Sequence, residues 1–192
     1  MSHATPSLII QPAARFAVSS ALTRFGLKGS GAIPWLEKHA IPVPSAANRI
    51  SRWNAGRCLR LGHGEFLIEL DEPGIGPLAA GSTQAATDNA WPLLRSDHSL
   101  VLRGDAWPAL LARICSFDFR RFREEPDLVV MTLMAGIAVT LVAERPAPTG
   151  SIEAGSGDAP FALRLWCDAS YAACLDHCLQ ILAAPSSQGD RP

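Results

Sequence analysis

An internal repeat is the sequence feature that most limits what this chain can fold into. The stretch "RFGLKGSGAIPWLEKHAIPVP" resembles "LVLRGDAWPALLARICSFDF", with Gly29 and Gly104 matched about 75 residues apart. In both copies an apolar run leads through a basic residue to a glycine, which favours a sharp turn from a strand into a helix. Pro34 and Pro108 then fall in the first helical turn, where a missing N–H costs nothing. The repeat predicts two strand–helix units of the same kind.

Each unit is followed by two short apolar strands around a glycine, "RCLRLGHGEFLIELD" in the first copy and "LVVMTLMAGIAVTLVAE" in the second. Matching Gly64 with Gly136, about 72 residues apart, places Ala135 where the first copy has His63. That alignment predicts that the hairpin does not need His63. Because no carboxylate or cysteine lies beside it in the sequence, we interpret His63 as a turn residue rather than a reaction centre.

The last part of the chain, "PFALRLWCDASYAACLDHCLQILAA", predicts one more strand at 162–166 and a helix over about 170–182, with Asp168 as its cap. The predicted fold class is therefore α+β. Two related strand–helix–hairpin units form one or two antiparallel-rich sheets, with helices packed on one face.

The predicted organisation is one folded domain between two flexible tails, with two internal loops rich in small residues, Pro and Gly. The tails are residues 1–15 and 185–192, the domain is 16–184, its repeat units are about 22–71 and 98–143, closed by 160–184, and the loops are 71–87 and 145–160.

Composition narrows the class of protein. Apolar residues make up 48% of the 192-residue chain, which is enough for a substantial core. Seventeen Lys and Arg oppose eighteen Asp and Glu, so no charge excess favours nucleic acid or an anionic membrane. We find no apolar run of the roughly 20 residues that span a bilayer and no secretion signal, and expect a cytoplasmic protein. Five cysteines indicate reduced, mostly buried thiols.

One cluster of potential metal ligands occurs near the end of the chain: Cys167, Cys174, His177 and Cys178. Structural zinc sites take paired ligands from two separate places in a chain, and only one place exists here. Cys174 and Cys178 are one helical turn apart, and Cys167 extends the same stripe. We therefore expect a helix packing its small apolar face, with His177 near the surface, and no metal site.

Aromatic and basic residues alternate in "FDFRRFREEPD", which contains Arg120, Arg121 and Arg123. The acidic residues that follow cancel the local charge on which nucleic-acid binding depends. We interpret the segment as a charged edge on a loop or irregular strand. The functional alternative is an arginine patch facing an acidic partner subunit.

Five tryptophans are many for one domain. Trp35 and Trp107 lie in the repeated helices, where we expect them in the core. Trp53 and Trp91 lie near loops, and either one, if exposed, would belong to an interface, where tryptophan is enriched.

Three segments carry a resemblance to a known family. "LVLRGDAWPALLARICSFDF" resembles the strand, glycine, alanine-led helix and Cys-x-x-Asp ending of the gamma subunit of heterotetrameric sarcosine oxidase. "MTLMAGIAVTLV" and "FALRLWCDASYAACLDHCLQIL" are similar to its closing strand and helix. The order of elements is also similar to the folate-binding domain of the glycine-cleavage aminomethyltransferases. The resemblance covers about Leu100 to Leu182 and, more loosely, Arg24 to Leu70.

This resemblance bears on catalysis. The aminomethyltransferases carry, just after the glycine that matches Gly136, an acidic residue that attends the reacting nitrogen of the folate adduct. Here residues 137–141 read Ile-Ala-Val-Thr-Leu, without a carboxylate. The first copy has Glu65 at the corresponding place, but strand alternation puts Glu65, Leu67 and Glu69 on one face. That pattern is typical of a solvated or interface face, so we predict no catalytic residue.

The resemblance implies a small chain without flavin, nicotinamide or zinc sites, which the partner subunits supply. The chain likewise has no G-x-G-x-x-G after a strand, no G-x-x-x-x-G-K-[ST] and no G-x-S-x-G. We expect a non-catalytic gamma-type subunit of a sarcosine-oxidase-like amine-oxidising complex, binding no cofactor by itself and assisting assembly with flavin-carrying subunits. The alternative is a free-standing tetrahydrofolate-binding or one-carbon transfer protein with folate between its two halves.

Overall fold

The computed structural model describes residues 15–18, 23–70, 89–144 and 162–184, with the backbone alone for 15–18. Arg15 begins the first strand and so does not belong to the predicted N-terminal tail. The rest of both predicted tails, and both predicted internal loops, lie outside the described residues.

Ten strands and four α-helices form the described part. The strands are β1 (Arg15–Val18), β2 (Thr23–Lys28), β3 (Arg49–Trp53), β4 (Gly56–Arg60), β5 (Glu65–Leu70), β6 (Trp91–Leu94), β7 (His98–Arg103), β8 (Val129–Met134), β9 (Ile137–Ala143) and β10 (Ala162–Cys167). The helices are α1 (Ala32–Lys38), α2 (Trp107–Leu111), α3 (Arg121–Glu124) and α4 (Ala172–Ala183), and a 3-10 turn (Ala169–Tyr171) precedes α4. No helix within these ranges is long and apolar enough to cross a bilayer.

The strands form two five-stranded antiparallel sheets, which agrees with the predicted α+β fold of one or two antiparallel-rich sheets. The N-terminal sheet has the order β3-β4-β5-β2-β6, and the C-terminal sheet has the order β1-β7-β10-β9-β8. If the chain is divided between β5 and β6, each half gives its first strand to the edge of the other sheet: β1 pairs with β7, and β6 pairs with β2. Backbone bonds between the start of β3 and the start of β8 join the sheets at one edge: Ile50 N donates to Asp127 O at 3.0 Å, and Val129 N donates to Asn48 O at 2.9 Å.

Hydrophobic residues lie in three layers. The C-terminal sheet packs its outer face against α2, α3 and α4 through Trp107, Phe122 and Leu175. The N-terminal sheet packs its outer face against α1, where Trp35 meets Phe25 edge to face at 5.9 Å. The third layer lies between the sheets and contains Ile50, Leu59, Leu67, Val129, Val142 and Trp166. The helices therefore lie on the face of each sheet that points away from the other sheet.

The strand-to-helix turns at Gly29 and Gly104 have the same geometry, as the repeat predicts. Their φ angles are +124° and +123°, a region that strongly favours glycine. Each glycine carbonyl accepts from the N–H three residues later, Ala32 or Trp107, at 3.2 Å. The matched sequences therefore build matched turns.

The predicted match between the two glycine hairpins was wrong. The β8–β9 hairpin follows the first helix of its unit, and its counterpart in strand order is β3–β4, not β4–β5. The turn that holds His63 joins β4 to β5 and therefore corresponds to the connection between β9 and β10. Ala135 is not the equivalent of His63. Two adjacent hairpins both contain glycine, and spacing alone selected the wrong one.

Ala135 nevertheless offers a stability test. It has φ of 51° and is followed by Gly136 with φ of +80°, the pattern of a two-residue turn that prefers Asn-Gly. We expect Ala135→Asn to raise the free energy of unfolding by roughly 0.5 to 1 kcal/mol, because asparagine tolerates positive φ better than alanine. Urea denaturation measures this. Ala55→Asn, in the β3–β4 turn without positive φ, is the control, and an equal gain there would contradict the argument.

Candidate partner-binding surface

His63 lies exposed in the turn between β4 and β5. The guanidinium of Arg60 donates to its backbone carbonyl at 3.1 Å, and no hydrogen bond or ion pair of its ring is found within the described ranges. A Cβ on Gly64 would lie 2.7 Å from the carbonyl oxygen of Gly29, which explains the glycine. The turn thus packs against the strand-to-helix turn of the same unit, and its geometry is accounted for without chemistry at His63.

The strand after Gly136 contains no group that could act on a folate adduct. Ile137, Val139 and Leu141 point into the core beneath the helices. Ala138 and Thr140 lie on the opposite face. Hydrocarbon therefore occupies the place where the resemblance puts a carboxylate.

Glu69 is buried, whereas the sequence predicts that it lies on a solvated or interface face of its strand. The alternation was right, because Leu67 and Glu69 do face the same way, but both are buried between the sheets rather than solvated. Only Glu65 is partly solvated, where it pairs with Lys28 at 2.9 Å. The face is an interface within the chain, between its own two sheets.

Glu69 is the centre of what we term the inter-sheet charge cluster: Arg24, Arg57, Glu69, Glu144 and Arg164. Arg24 Nε lies 3.0 Å from Glu69 Oε2, and Arg164 Nη1 lies 3.2 Å from Oε1. Trp166 Nε1 donates to Oε2 at 2.9 Å. The Glu69 side chain has no exposed surface, so the surrounding cations must offset the cost of its burial.

Glu144 is the second carboxylate of the cluster. Arg57 Nη1 and Arg164 Nε lie 2.8 and 2.9 Å from its Oε2, so the two arginines bridge both carboxylates. Burial acts to raise the pKa of Glu144, but the hydrogen bond from Arg164 and the charges of Arg57 and Arg164 outweigh it and lower the pKa.

The lowered pKa of Glu144 predicts an acid-dependent loss of stability. A carboxyl with a lower pKa in the folded state contributes stability above its unfolded pKa, and the contribution disappears as pH falls through the folded pKa. Urea midpoints measured from neutral to acidic pH should therefore fall less steeply in Glu144→Gln than in the wild type. Parallel curves for the two proteins would contradict this role.

An open groove of about 680 Å³ lies between the tip of the β8–β9 hairpin and the N-terminal sheet. Its floor is the part of the C-terminal sheet's inner face that the N-terminal sheet does not cover, and Met131 and Leu133 there are 51% and 60% exposed. Leu67 and the bidentate ion pair between Arg95 and Asp97, at 2.8 and 2.6 Å, line another side. The remaining lining residues are Ser116, Thr132, Ala138, Val139, Thr140, Trp166, Cys167 and Asp168.

The sequence predicts Asp168 as the cap of the last helix, and the structure places it one step earlier, as the cap of the 3-10 turn that leads into α4. Its side chain accepts hydrogen bonds from Ser170 N at 2.9 Å and Ser170 Oγ at 2.6 Å. These bonds, followed by the charge of Arg95, lower the pKa of Asp168. The capping carboxylate is therefore ionised at neutral pH while it stands at the mouth of the groove.

The cysteines do not form the predicted stripe. Cys167 is buried in the core from β10, whereas α4 buries Leu175, Leu179 and Leu182 and leaves Cys174 exposed. The prediction that α4 packs its small cysteine face was wrong, because leucines on the adjacent face bury more apolar area. His177 is at the surface, as predicted. The described residues contain no group of three or more potential metal ligands.

The exposure of each cysteine should determine how fast its thiol reacts. We expect a native-state alkylating reagent at mildly alkaline pH to modify exposed Cys174 first, because burial raises the pKa of Cys58 to about 12 and that of Cys167 to about 11. Mass spectrometry of intact and digested protein identifies the sites. Cys174→Ser should remove the fast phase, and modification of Cys58 at a similar rate would contradict the burial.

The arginine-rich segment forms a short helix, α3, rather than the predicted loop or irregular strand. Phe122 anchors it in the core, and Arg121 pairs with Glu125 one turn away at 2.7 Å. Arg120 pairs with Asp118 at 2.8 Å. These local pairs neutralise much of the positive charge, which argues against both a nucleic-acid surface and a strong arginine patch for an acidic partner.

The tryptophans of the repeated helices form a buried pair, and the two near loops are more exposed. Trp35 and Trp107 are buried in the helix-facing cores, as predicted. Trp53 is partly buried against the N-terminal core, whereas Trp91 is 46% exposed on edge strand β6, together with Leu93 and Leu94. The edge strand β6 is therefore a second exposed apolar surface besides the groove.

Comparisons with known proteins identify relatives of the fold. No family model and no curated protein matches the chain. A chain of the heterotetrameric sarcosine oxidase from Corynebacterium sp. U-96, solved in complex with pyrrole 2-carboxylate, matches with a TM-score of 0.70 and 18% identity. The match covers 93% of this chain and 88% of that chain.

The glycine cleavage system aminomethyltransferase T from Bartonella henselae also matches, with a TM-score of 0.56, 13% identity and 88% of this chain covered. The match spans 46% of the aminomethyltransferase, or about half its length. The predicted resemblance to both groups is thus confirmed for the fold. Sequence identities of 18% and 13% establish the fold alone.

Proposed function

We propose that this chain is a non-catalytic gamma-type subunit of a sarcosine-oxidase-like amine-oxidising complex and assists assembly with flavin-carrying subunits. The observation that carries the proposal is the fold match to a chain of a heterotetrameric oxidase, which extends over 93% of this chain and 88% of that one. Because the match extends over most of both chains, it supports a role for this chain similar to that of the matched chain.

The arrangement of side chains supports a role without catalysis. The strand after Gly136 carries no ionisable side chain, and the ring of His63 makes no hydrogen bond or ion pair within the described residues. The buried carboxylate of Glu69 is enclosed by arginines that fix it in place. The exposed apolar residues of the groove and of β6 are instead suited to contact with other polypeptides.

Purification of the chain from its native organism, with an affinity tag added at the chromosomal gene, tests the proposal. We expect a flavin-containing polypeptide to elute with it in a fixed ratio, recognised by flavin absorbance and mass spectrometry, and the complex to oxidise a secondary amine. An unrelated tagged protein of similar size is the control. Elution of the chain alone would contradict the proposal.

The second candidate is a free-standing tetrahydrofolate-binding or one-carbon transfer protein, and the likeness to an aminomethyltransferase favours it. Calorimetric titration of the isolated chain with tetrahydrofolate separates the candidates. The subunit proposal predicts no heat of binding, whereas saturable binding would favour the alternative.

A further inference from the structure

We propose that the groove between the β8–β9 hairpin and the N-terminal sheet is the docking site for a segment of a partner polypeptide that combines apolar side chains with a terminal arginine or lysine. The inference rests on the proposed subunit role and goes beyond it by assigning the surface and the chemistry of the segment that binds there.

The floor of the groove is apolar surface that the chain itself leaves uncovered. On the inner face of the C-terminal sheet, Val129 and Val142 are buried by the N-terminal sheet. Farther along the same strands, Met131 and Leu133 are more than half exposed, and Ala138 is exposed beside them. Large apolar side chains grouped on one face of a sheet are a typical interface core.

The rim of the groove is acidic. Among the lining residues, Arg95 is the only cation, and Asp97 holds it in a two-bond ion pair. Asp168 adds a second carboxylate whose two hydrogen bonds, both from Ser170, leave it exposed to solvent. The lining therefore carries one net negative charge. A cationic side chain at the end of an apolar segment complements this rim, whereas an acidic segment or a phosphate is repelled.

The open shape favours a polypeptide over a small molecule. Small-molecule sites enclose most of the ligand surface, commonly about 70 to 90%. Here the floor is one face of a sheet, and its two largest apolar side chains keep 51% and 60% of their surface exposed. A segment held by a larger partner can cover such a floor because the rest of the partner supplies further contacts.

The first experiment uses synthetic peptides as probes. A fluorescent twelve-residue peptide of alternating leucine and serine ending in two arginines is titrated into the purified chain, followed by the same peptide ending in two glutamates. We expect the arginine peptide to bind at least about tenfold more tightly, with the preference reduced by salt. Equal binding of the two peptides, or no binding of either, would overturn the proposal.

Variants locate the binding. We expect Met131→Asp combined with Leu133→Asp to weaken the arginine peptide at least about tenfold, because charge on the floor opposes apolar contact. Ile181→Asp, on the opposite side of the C-terminal sheet, is the matched control, since Ile181 is 62% exposed and lies on α4. Asp168→Asn keeps the capping hydrogen bonds and removes the charge, so it should reduce the arginine preference about threefold or more without changing thermal stability.

The same variants, tested in co-purification, distinguish this inference from the proposed function. Loss of the flavoprotein from the Met131→Asp/Leu133→Asp variant, but not from Ile181→Asp, supports both. Retention of the flavoprotein by the floor variant overturns the groove inference and leaves the subunit role intact. Selective peptide binding without any flavoprotein partner supports the groove and overturns the subunit role. Concentration-dependent dimers that the floor variant abolishes would assign the groove to a second copy of this chain and overturn the inference.

Discussion

Replacement of Gly29 by alanine is expected to unfold this protein or to lower its free energy of unfolding by at least about 3 kcal/mol. A Cβ at this position would lie 2.0 Å from the carbonyl oxygen of Asn89 and 2.6 Å from the ring of Trp91. The φ of +124° is also strained for any residue with a Cβ. Both neighbours belong to the approach and start of β6, so the substitution would push this edge strand away from β2. Thermal denaturation followed by circular dichroism measures the loss.

Alanine substitutions at two further glycines distinguish the effect of the steric clash on stability from that of the backbone strain. Gly136→Ala places its Cβ in open space but keeps a φ of +80°, so we expect a loss of about 1 to 2 kcal/mol. Gly62→Ala has neither problem, with Glu65 Cβ as its nearest neighbour at 3.8 Å, and should change stability by less than about 0.5 kcal/mol. If Gly29→Ala proved as stable as Gly62→Ala, the close approach of β6 to Gly29 would be wrong.

Glu69→Gln is expected to cost about 3 to 5 kcal/mol, because it leaves the arginines of the inter-sheet charge cluster without their central carboxylate. Glutamine keeps the volume and can still accept from Trp166 Nε1, so the loss reports the missing charge rather than a cavity. For a domain of this size the corresponding fall in melting temperature is roughly 6 to 20 °C. Differential scanning calorimetry provides both quantities.

Glu65→Gln is the matched control for Glu69→Gln, since it alters a glutamate on the same strand and the same face. Its ion pair with Lys28 is solvent-exposed, with 40% and 56% of the two side chains accessible, and such pairs contribute less than about 1 kcal/mol. Similar losses for the two variants would show that burial between the sheets does not govern the cost.

The parts of the fold that follow from local sequence could be predicted. A glycine in a sharp strand-to-helix turn and a proline in the first helical turn leave a recognisable pattern, and Gly29 and Gly104 adopt matching turns. The last strand and helix were also predictable, because capping and periodicity act within a few residues, although Asp168 caps the 3-10 turn before α4 rather than α4 itself. The resemblance then supplied the arrangement of these elements.

The predicted match between the β4–β5 and β8–β9 hairpins was wrong because the true counterpart of β5 is β10, which pairs with β9 across a long connection. Strand β10 corresponds to β5 in sheet order, but residues 144–161 separate it from β9, whereas only residues 61–64 separate β4 from β5. Different connection lengths hid the correspondence. Spacing between glycines could not reveal which strand each hairpin joins.

The inter-sheet charge cluster could not be identified from the sequence, because its members come from four strands and one strand end. A signal was nevertheless present. Arg164 interrupts the otherwise apolar strand β10, which is unusual unless a buried carboxylate accompanies it. The groove left a comparable signal in β8, where Met131 and Leu133 make the solvent side of an edge strand as apolar as its core side.

The exchange of edge strands between the two halves has a consequence for how the molecule comes apart. Because β1 completes the sheet built by the second half, and β6 completes the sheet built by the first, neither half can detach without stripping a strand from the other. We therefore expect the two sheets to unfold together in one cooperative step. During synthesis, β1 likewise remains unpaired until almost ninety further residues have been added, since its Arg15 pairs with Arg103 of β7.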